Sequence, residues 1–112
     1  MIDYNEIERI IEERKRIHPD DPHVVEKWNE LTQIFIQNEE STIAYLSCCS
    51  KEDINWISEV FEDISEQLQS SKFIECIEEL ADKYPDLNLE QDIKFARKAL
   101  EKYYNCNGAS LG

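Results

Sequence analysis

The chain has 112 residues with a formal net charge of −13 at pH 7, and 41% of its residues are hydrophobic. This length fits a single domain, and the hydrophobic content excludes an intrinsically disordered chain. The excess of negative charge argues against direct binding of nucleic acid, because phosphates attract basic surfaces. No stretch approaches the roughly 18 consecutive apolar residues of a membrane span, and the charged N-terminal segment does not resemble a signal peptide.

Apolar residues recur at helical spacing along most of the chain, and period-two alternation is absent. Both glycines lie within the last five residues, so we expect short loops and antiparallel neighbouring helices. The sequence therefore predicts an all-α fold, either a single compact bundle or a short array of about six antiparallel helices. We expect one domain over residues 1–105 and a flexible tail over residues 106–112. The predicted helices span about residues 3–17, 22–37, 38–49, 51–69, 70–84 and from 88 onward.

Helix starts are marked by residues that cap helix N-termini, and prolines mark the ends of two helices. Asp3 with Glu6, and Ser50 with Asp53, have the spacing of a capping box. Prolines that follow the first and fifth helices are expected to end them, because proline and the residue before it avoid the helix interior. The predicted N-caps are Asp3, Asp21, Asn38, Ser50, Ser70 or Ser71, and Asn88.

Two of the predicted helices have a well-defined apolar face that we expect to be buried. The face of the first helix includes one charged residue, Arg14, among four isoleucines. The first face consists of Ile7, Ile10, Ile11, Arg14 and Ile17, and the face of the fourth helix consists of Ile54, Ile57, Phe61, Ile64 and Leu68.

Cysteine and histidine do not form a recognisable chemical motif. Without a secretion signal, the four cysteines are expected to be reduced thiols, with Cys49 and Cys76 buried as small hydrophobic residues and Cys106 exposed in the tail. His18 and His23 flank a Pro-Asp-Asp-Pro segment, but helix ending and capping account for every residue there. We therefore predict no metal, no cofactor and no catalytic residue.

The middle of the chain is strongly acidic, with twelve acidic and two basic residues between Glu39 and Asp82. Several acids recur at helical spacing without interleaved bases, and like charges four residues apart destabilise a helix by a few tenths of a kcal/mol per pair. Such a face is either ordinary solvated surface or a binding face for a basic partner, and we favour the second interpretation. The predicted charges are Glu52, Glu59, Glu62, Asp63, Glu66, Glu75, Glu78, Glu79 and Asp82, with Tyr45 and Trp56 as aromatic anchors.

The run from Leu46 to Ser65, Leu-Ser-Cys-Cys-Ser-Lys-Glu-Asp-Ile-Asn-Trp-Ile-Ser-Glu-Val-Phe-Glu-Asp-Ile-Ser, continues into Phe-Ile-Glu-Cys-Ile-Glu-Glu-Leu at residues 73–80 and Lys-Tyr-Pro-Asp-Leu at residues 83–87. This region resembles small acidic helical immunity proteins of bacterial toxin systems, especially those of contact-dependent growth inhibition and related polymorphic toxins. The resemblance covers roughly residues 46–100. It implies a cytoplasmic protein that binds one cognate toxin domain, often a nuclease, at its active site or an adjacent exosite.

The favoured hypothesis is therefore an immunity protein, not an enzyme. It is expected to neutralise a basic toxin domain, a nuclease and preferably an RNase, as a monomer in a 1:1 complex without a membrane partner. One alternative is a nucleic-acid mimic that inhibits a DNA- or RNA-binding protein through the same carboxylates. Another is a helical adaptor or regulatory subunit that uses an apolar groove, so that its acids only keep it solvated.

Overall fold

A computed structural model describes the backbone of residues 2–111 and the side chains of residues 2–100. Within these residues every regular element is helical, which confirms the predicted all-α fold of about six helices. The elements are α1 (Tyr4–Lys15), α2 (Val24–Phe35), α3 (Glu39–Cys48), α4 (Lys51–Ile57), a 3₁₀ turn (Ser58–Val60), α5 (Phe61–Leu68), α6 (Ser71–Lys83), a second 3₁₀ turn (Pro85–Leu87) and α7 (Glu90–Leu111).

The fourth predicted helix is divided into α4 and α5 by the first 3₁₀ turn. The hydroxyl of Ser58 bonds back to the carbonyl of Asn55 at 2.6 Å, and Val60 leaves the helical region with φ −117° and ψ 13°. A 3₁₀ segment inside a helix changes the direction of the side chains that follow. Despite the break, the predicted apolar face is buried through Ile64, with Leu68 half-buried at its end.

Four of the predicted N-caps are confirmed by side-chain bonds to the backbone three residues later. The acceptor–donor distances lie between 2.8 and 3.1 Å, which is the normal range for such bonds. The confirmed caps are Asp3, Asn38, Ser50 and Ser70.

Two predicted N-caps are wrong because local turns use those residues instead. Asp21 accepts a 2.9 Å bond from the backbone of His23 and so forms a turn before α2, which begins only at Val24. Asn88 adopts a left-handed conformation with φ 54°, ends the second 3₁₀ turn and donates its side-chain amide to the carbonyl of Asp86. Asparagine tolerates this conformation better than most residues, so it serves here as a stop and not as a cap.

The core is built from aliphatic residues and three fully buried phenylalanines, and every helix contributes to it. The rings of Phe61 and Phe73 meet edge to face, with centroids 6.0 Å apart. Helix α7 packs along α5 and also against α6, and the buried hydroxyl of Ser65 donates a 2.7 Å bond to the carbonyl of Ala96. Helix α1 packs against α2 and α4, whereas α3 packs against α6.

The backbone of α7 stays helical as far as Leu111, without a break at residue 105 where we expected the domain to end. The flexibility of residues 106–112 stays a prediction, and the side chain of Cys106 lies outside the residues described. None of the helices within residues 2–111 is long and apolar enough to cross a membrane.

Candidate functional site

The nine predicted binding acids divide into two groups according to whether the structure gives them a basic partner. Six are exposed and form no ion pair among the described side chains, three on α5 and three on α6. We call these the α5 acids and the α6 acids. The α5 acids are Glu62, Asp63 and Glu66, and the α6 acids are Glu75, Glu79 and Asp82.

The other three predicted acids already have partners within the chain. Glu78 binds Arg97 of α7, with 2.7 Å between its carboxylate and the arginine Nε, and Glu52 binds Lys15 of α1. The carboxylate of Glu59 accepts bonds of 2.8 and 2.7 Å from the guanidinium of Arg14. These three carboxylates hold helices together, so they are less available to an external partner.

Arg14 explains why Glu59 turns inward. Its side chain is only 5% exposed, so its charge needs a partner inside the fold. The two bonds to Glu59 supply that partner, and the indole N–H of Trp28 donates a third bond of 2.9 Å to the same carboxylate. The predicted placement of Arg14 on the buried face of the first helix is thereby confirmed, but its interaction with Glu59 was not foreseen.

The two predicted aromatic anchors differ in how deeply the fold buries them. Tyr45 is only 2% exposed and packs its ring against Tyr4 and Phe35, so it belongs to the core and its ring does not form a docking surface. Helical spacing placed Tyr45 off the apolar face of α3, but the start of α1 covers it. Trp56 is half-buried and lies beneath the guanidinium of Arg14, 5.1 Å from the ring centroid.

The α5 acids and the α6 acids lie on helices that are consecutive in sequence and that touch through the rings of Phe61 and Phe73. Helix α7 contacts both of them and presents exposed Lys94 and Lys98, together with Arg97 that is bound to Glu78. Basic residues therefore lie on a helix that contacts both the helix of the α5 acids and the helix of the α6 acids. Burial raises the pKa of Asp63, and the charge of Glu66 adds to that shift.

A third group of acids, which sequence reasoning missed, lies between α1, α3 and α4. Glu8 of α1 and Asp53 of α4 come within hydrogen-bonding range, which raises the pKa of Glu8, and burial raises it further. The hydroxyl of Tyr45 approaches Glu8 at 3.4 Å. These groups line a pocket of about 440 Å³, and residues Tyr4, Glu52 and Lys15 complete most of its wall. No sequence motif links Glu8 to Asp53, because 45 residues separate them and only tertiary packing brings them together.

The groups in this pocket are suited to holding a cation more than to nucleophilic chemistry. Cys49 also lines it, but burial raises the pKa of its thiol to about 12, so it stays protonated and unreactive at neutral pH. Within the side chains described, no three of histidine, cysteine, aspartate or glutamate are arranged to hold a metal ion. His23 instead binds Asp21 at 2.8 Å, which raises the pKa of the imidazole.

No protein-family model, no curated protein and no solved structure matches this chain. The resemblance to immunity proteins of bacterial toxin systems therefore stays a prediction made from the sequence.

Proposed function

We propose that this chain is an immunity protein that binds and neutralises a cytotoxic toxin domain. The observation that carries the proposal is the set of six exposed acids on α5 and α6 without an ion-pair partner among the described side chains. A nuclease needs a basic surface to hold phosphates, so its surface is complementary to these acids. The resemblance of residues 46–100 to immunity proteins supports the same conclusion.

The acids of α6 repel one another, and a need for solubility alone does not explain why the sequence keeps this repulsion. Glu75 and Glu79 stand four residues apart on one helix, as do Glu78 and Asp82, and among the side chains described Glu78 alone of these four has a basic partner. A surface that serves only for solubility mixes both signs of charge. A basic partner relieves the repulsion when it binds, and the field of the acids accelerates its approach.

The proposed complex contains one copy of each chain and forms in the cytoplasm of the producing cell. An RNase domain is the favoured toxin, and the inhibitor covers its active site or an adjacent exosite. Because α7 adjoins both acidic groups and carries exposed lysines, the α5 acids and the α6 acids are expected to contact separate basic patches of the toxin.

The test begins with capture of the partner by the tagged chain from its native cytosol, supplemented with the product of the neighbouring upstream gene. Association and dissociation rates are then measured at low salt and at about 0.5 M salt, where exposed charges are screened. Capture of one basic nuclease whose activity is abolished supports the proposal. Capture of many unrelated nucleic-acid-binding proteins supports a nucleic-acid mimic, and a complex insensitive to salt supports an adaptor with an apolar interface.

Three triple variants with the same change in net charge locate the binding face. One reverses the α5 acids to lysine, one reverses the α6 acids, and the control reverses three exposed acids elsewhere, Asp20, Glu26 and Glu40. Loss of steering is expected to slow association by roughly tenfold or more for the first two variants at low salt. The control changes the total charge equally, so an equal loss in the control would contradict a localised binding face.

A further inference from the structure

We propose that the pocket between α1, α3 and α4 binds the guanidinium of an arginine side chain from the protein partner. The inference rests on the proposed function only for the identity of that partner. The pocket itself is a property of the free chain, and it lies apart from the α5 and α6 acids on which the proposed function is based.

The strongest indication is the carboxylate of Asp53, which lines the pocket although the residue is only 8% exposed. Apart from Glu8, which can donate only when it is protonated, no side chain or backbone N–H within residues 2–100 donates a hydrogen bond to this carboxylate, and it belongs to no ion pair there. Its backbone N–H is used to bond the cap residue Ser50, but its oxygens face Glu8. A buried carboxylate normally has a donor or an opposite charge, because leaving one unpaired costs free energy.

The nearby cation does not fill this role. Lys15 lines the same pocket, but its ammonium already binds two other carboxylates, Glu12 at 3.0 Å and Glu52. Across the same interface, Arg14 is bound to Glu59, so it is not free to turn toward Asp53. Among the described side chains, Glu8 and Asp53 therefore line the pocket without an ion pair of their own, although the charge of Lys15 acts on Glu8.

The geometry favours arginine over lysine for three reasons. Two neighbouring carboxylates offer several acceptor oxygens in one place, and guanidinium, with its planar set of donors, binds two oxygens at once. The ring of Tyr4 is 52% exposed at the mouth of the pocket and is held by an edge-to-face contact with Tyr45 at 4.8 Å. Guanidinium stacks on such a ring while it pairs with carboxylate, whereas an ammonium is more strongly hydrated. The pocket volume of about 440 Å³ also lies within the usual range for small ligands.

The experiment titrates the isolated chain with three capped amino acids while amide resonances are followed by NMR. The probes are Nα-acetyl-arginine amide, Nα-acetyl-lysine amide and Nα-acetyl-citrulline amide, the last being a neutral analogue of arginine. The arginine probe is expected to shift the amide signals of Cys48, Glu52 and Asp53 saturably, since these residues line the pocket. Lysine is expected to bind several-fold more weakly, and citrulline is expected to produce no saturable shift.

Two variants separate the pocket from general attraction to an acidic protein. Asp53→Asn keeps the shape and removes the charge, so arginine binding should weaken about tenfold or more, a change of about 1.4 kcal/mol. Tyr4→Ala removes an exposed ring and should weaken arginine binding several-fold while leaving lysine binding unchanged. The control Glu26→Gln also removes one exposed acid but lies on α2, outside the pocket and outside the α5 and α6 acids, and it should bind like the wild type.

Equal binding of arginine and citrulline, or an Asp53→Asn variant that binds as well as the wild type, would overturn the inference. Equal weakening by Glu26→Gln would overturn it too, since binding would then follow net charge alone. This titration is carried out on the isolated chain without a toxin. The capture experiment, in turn, gives its result whether or not the pocket binds arginine. The pocket and the proposed function can therefore fail independently.

Discussion

Helix α1 meets α4 and the adjoining 3₁₀ turn through two charged clusters. In one cluster opposite charges are paired, and in the other two acids lie side by side. Toward its C-terminal end, the buried Arg14 is fully paired by the carboxylate of Glu59, which also accepts a bond from Trp28. Toward its N-terminal end, Glu8 faces the carboxylate of the buried Asp53, and neither forms an ion pair with any of the side chains described for residues 2–100. Selection for stability alone would favour the Arg14 arrangement, because burying an arginine with a carboxylate costs less free energy than burying two carboxylates that repel each other. The second resembles the destabilised arrangements that proteins keep where something binds.

The largest expected effect comes from removing the partner of Arg14. Glu59→Ala leaves an arginine that is only 5% exposed without its carboxylate, and it also removes the acceptor of the Trp28 indole. Breaking a buried ion pair costs about 3–5 kcal/mol. Because the side chain of Glu59 is 28% exposed, water replaces part of the interaction, and we expect a loss of about 2–3 kcal/mol in the free energy of unfolding. Urea denaturation with a constant m-value measures this loss.

The matched control is Glu62→Ala, which removes an exposed glutamate three residues further along and is expected to change stability by less than about 0.5 kcal/mol. A double variant, Arg14→Met with Glu59→Gln, should recover much of the loss, because no charge is then buried without a partner. Equal effects of Glu59→Ala and Glu62→Ala would mean that the Arg14 cluster is not structural, and the contrast between the two clusters would disappear.

The second prediction concerns the cluster of Glu8 and Asp53, where removing a charge is expected to raise the free energy of unfolding. The folded-state pKa of Glu8 lies above its ordinary value of 4.5, so the folded chain binds the extra proton more tightly than the unfolded chain. This contribution to stability is present below about pH 4.5 and is lost as the pH rises through the raised pKa. When Glu8 is ionised, the neighbouring carboxylate of Asp53 repels it. Glu8→Gln is therefore expected to stabilise the protein at pH 7.

The expected gain is at most about 1 kcal/mol, since solvent screens the partly exposed Glu8. The gain should shrink as the pH is lowered from 7 to 4.5, because the raised pKa of Glu8 lets the wild type take up a proton and relieve the repulsion. The wild type and Glu8→Gln are each denatured at pH 7 and at pH 4.5. The difference between them isolates the contribution of Glu8, because Tyr45, Lys15 and the other titrating groups are the same in the two proteins. The control Glu75→Gln relieves repulsion from Glu79 in solvent and should gain only a few tenths of a kcal/mol. A loss of stability in Glu8→Gln would show that the pair is not strained.

The fold was largely predictable because helix boundaries depend on local chemistry. The caps at Asn38, Ser50 and Ser70 use a side chain and a backbone N–H only three residues apart, so the sequence contains both partners. The prediction failed where a tertiary interaction or a turn competed. The break after Ile57 allows Glu59 to reach Arg14, and Asn88 ends one turn instead of beginning a helix.

The candidate sites were less predictable, for the same physical reason. Helical spacing correctly placed Arg14 on a buried face, but its acceptor lies 45 residues away and no pattern identifies it. Likewise, the capping box predicted a bond from the N–H of Ser50 to the carboxylate of Asp53, and none forms among the described residues. The ring of Tyr45 is buried by contacts with Tyr4 and Phe35, which lie far from it in the sequence. The exposed acids of α5 and α6 were predictable because amphipathic spacing alone separates them from the core.

The smallest expected effect comes from the exposed ion pair between α6 and α7. Glu78 and Arg97 have side chains that are 37% and 52% exposed, so water screens their attraction and solvates either one when the other is removed. Glu78→Gln should therefore cost less than about 0.5 kcal/mol. A double-mutant cycle with Arg97→Gln checks whether the two residues interact. A coupling energy well above 1 kcal/mol would show that this exposed ion pair fixes α7 against α6. The larger contribution of the Arg14 cluster to stability could then no longer be explained by its burial.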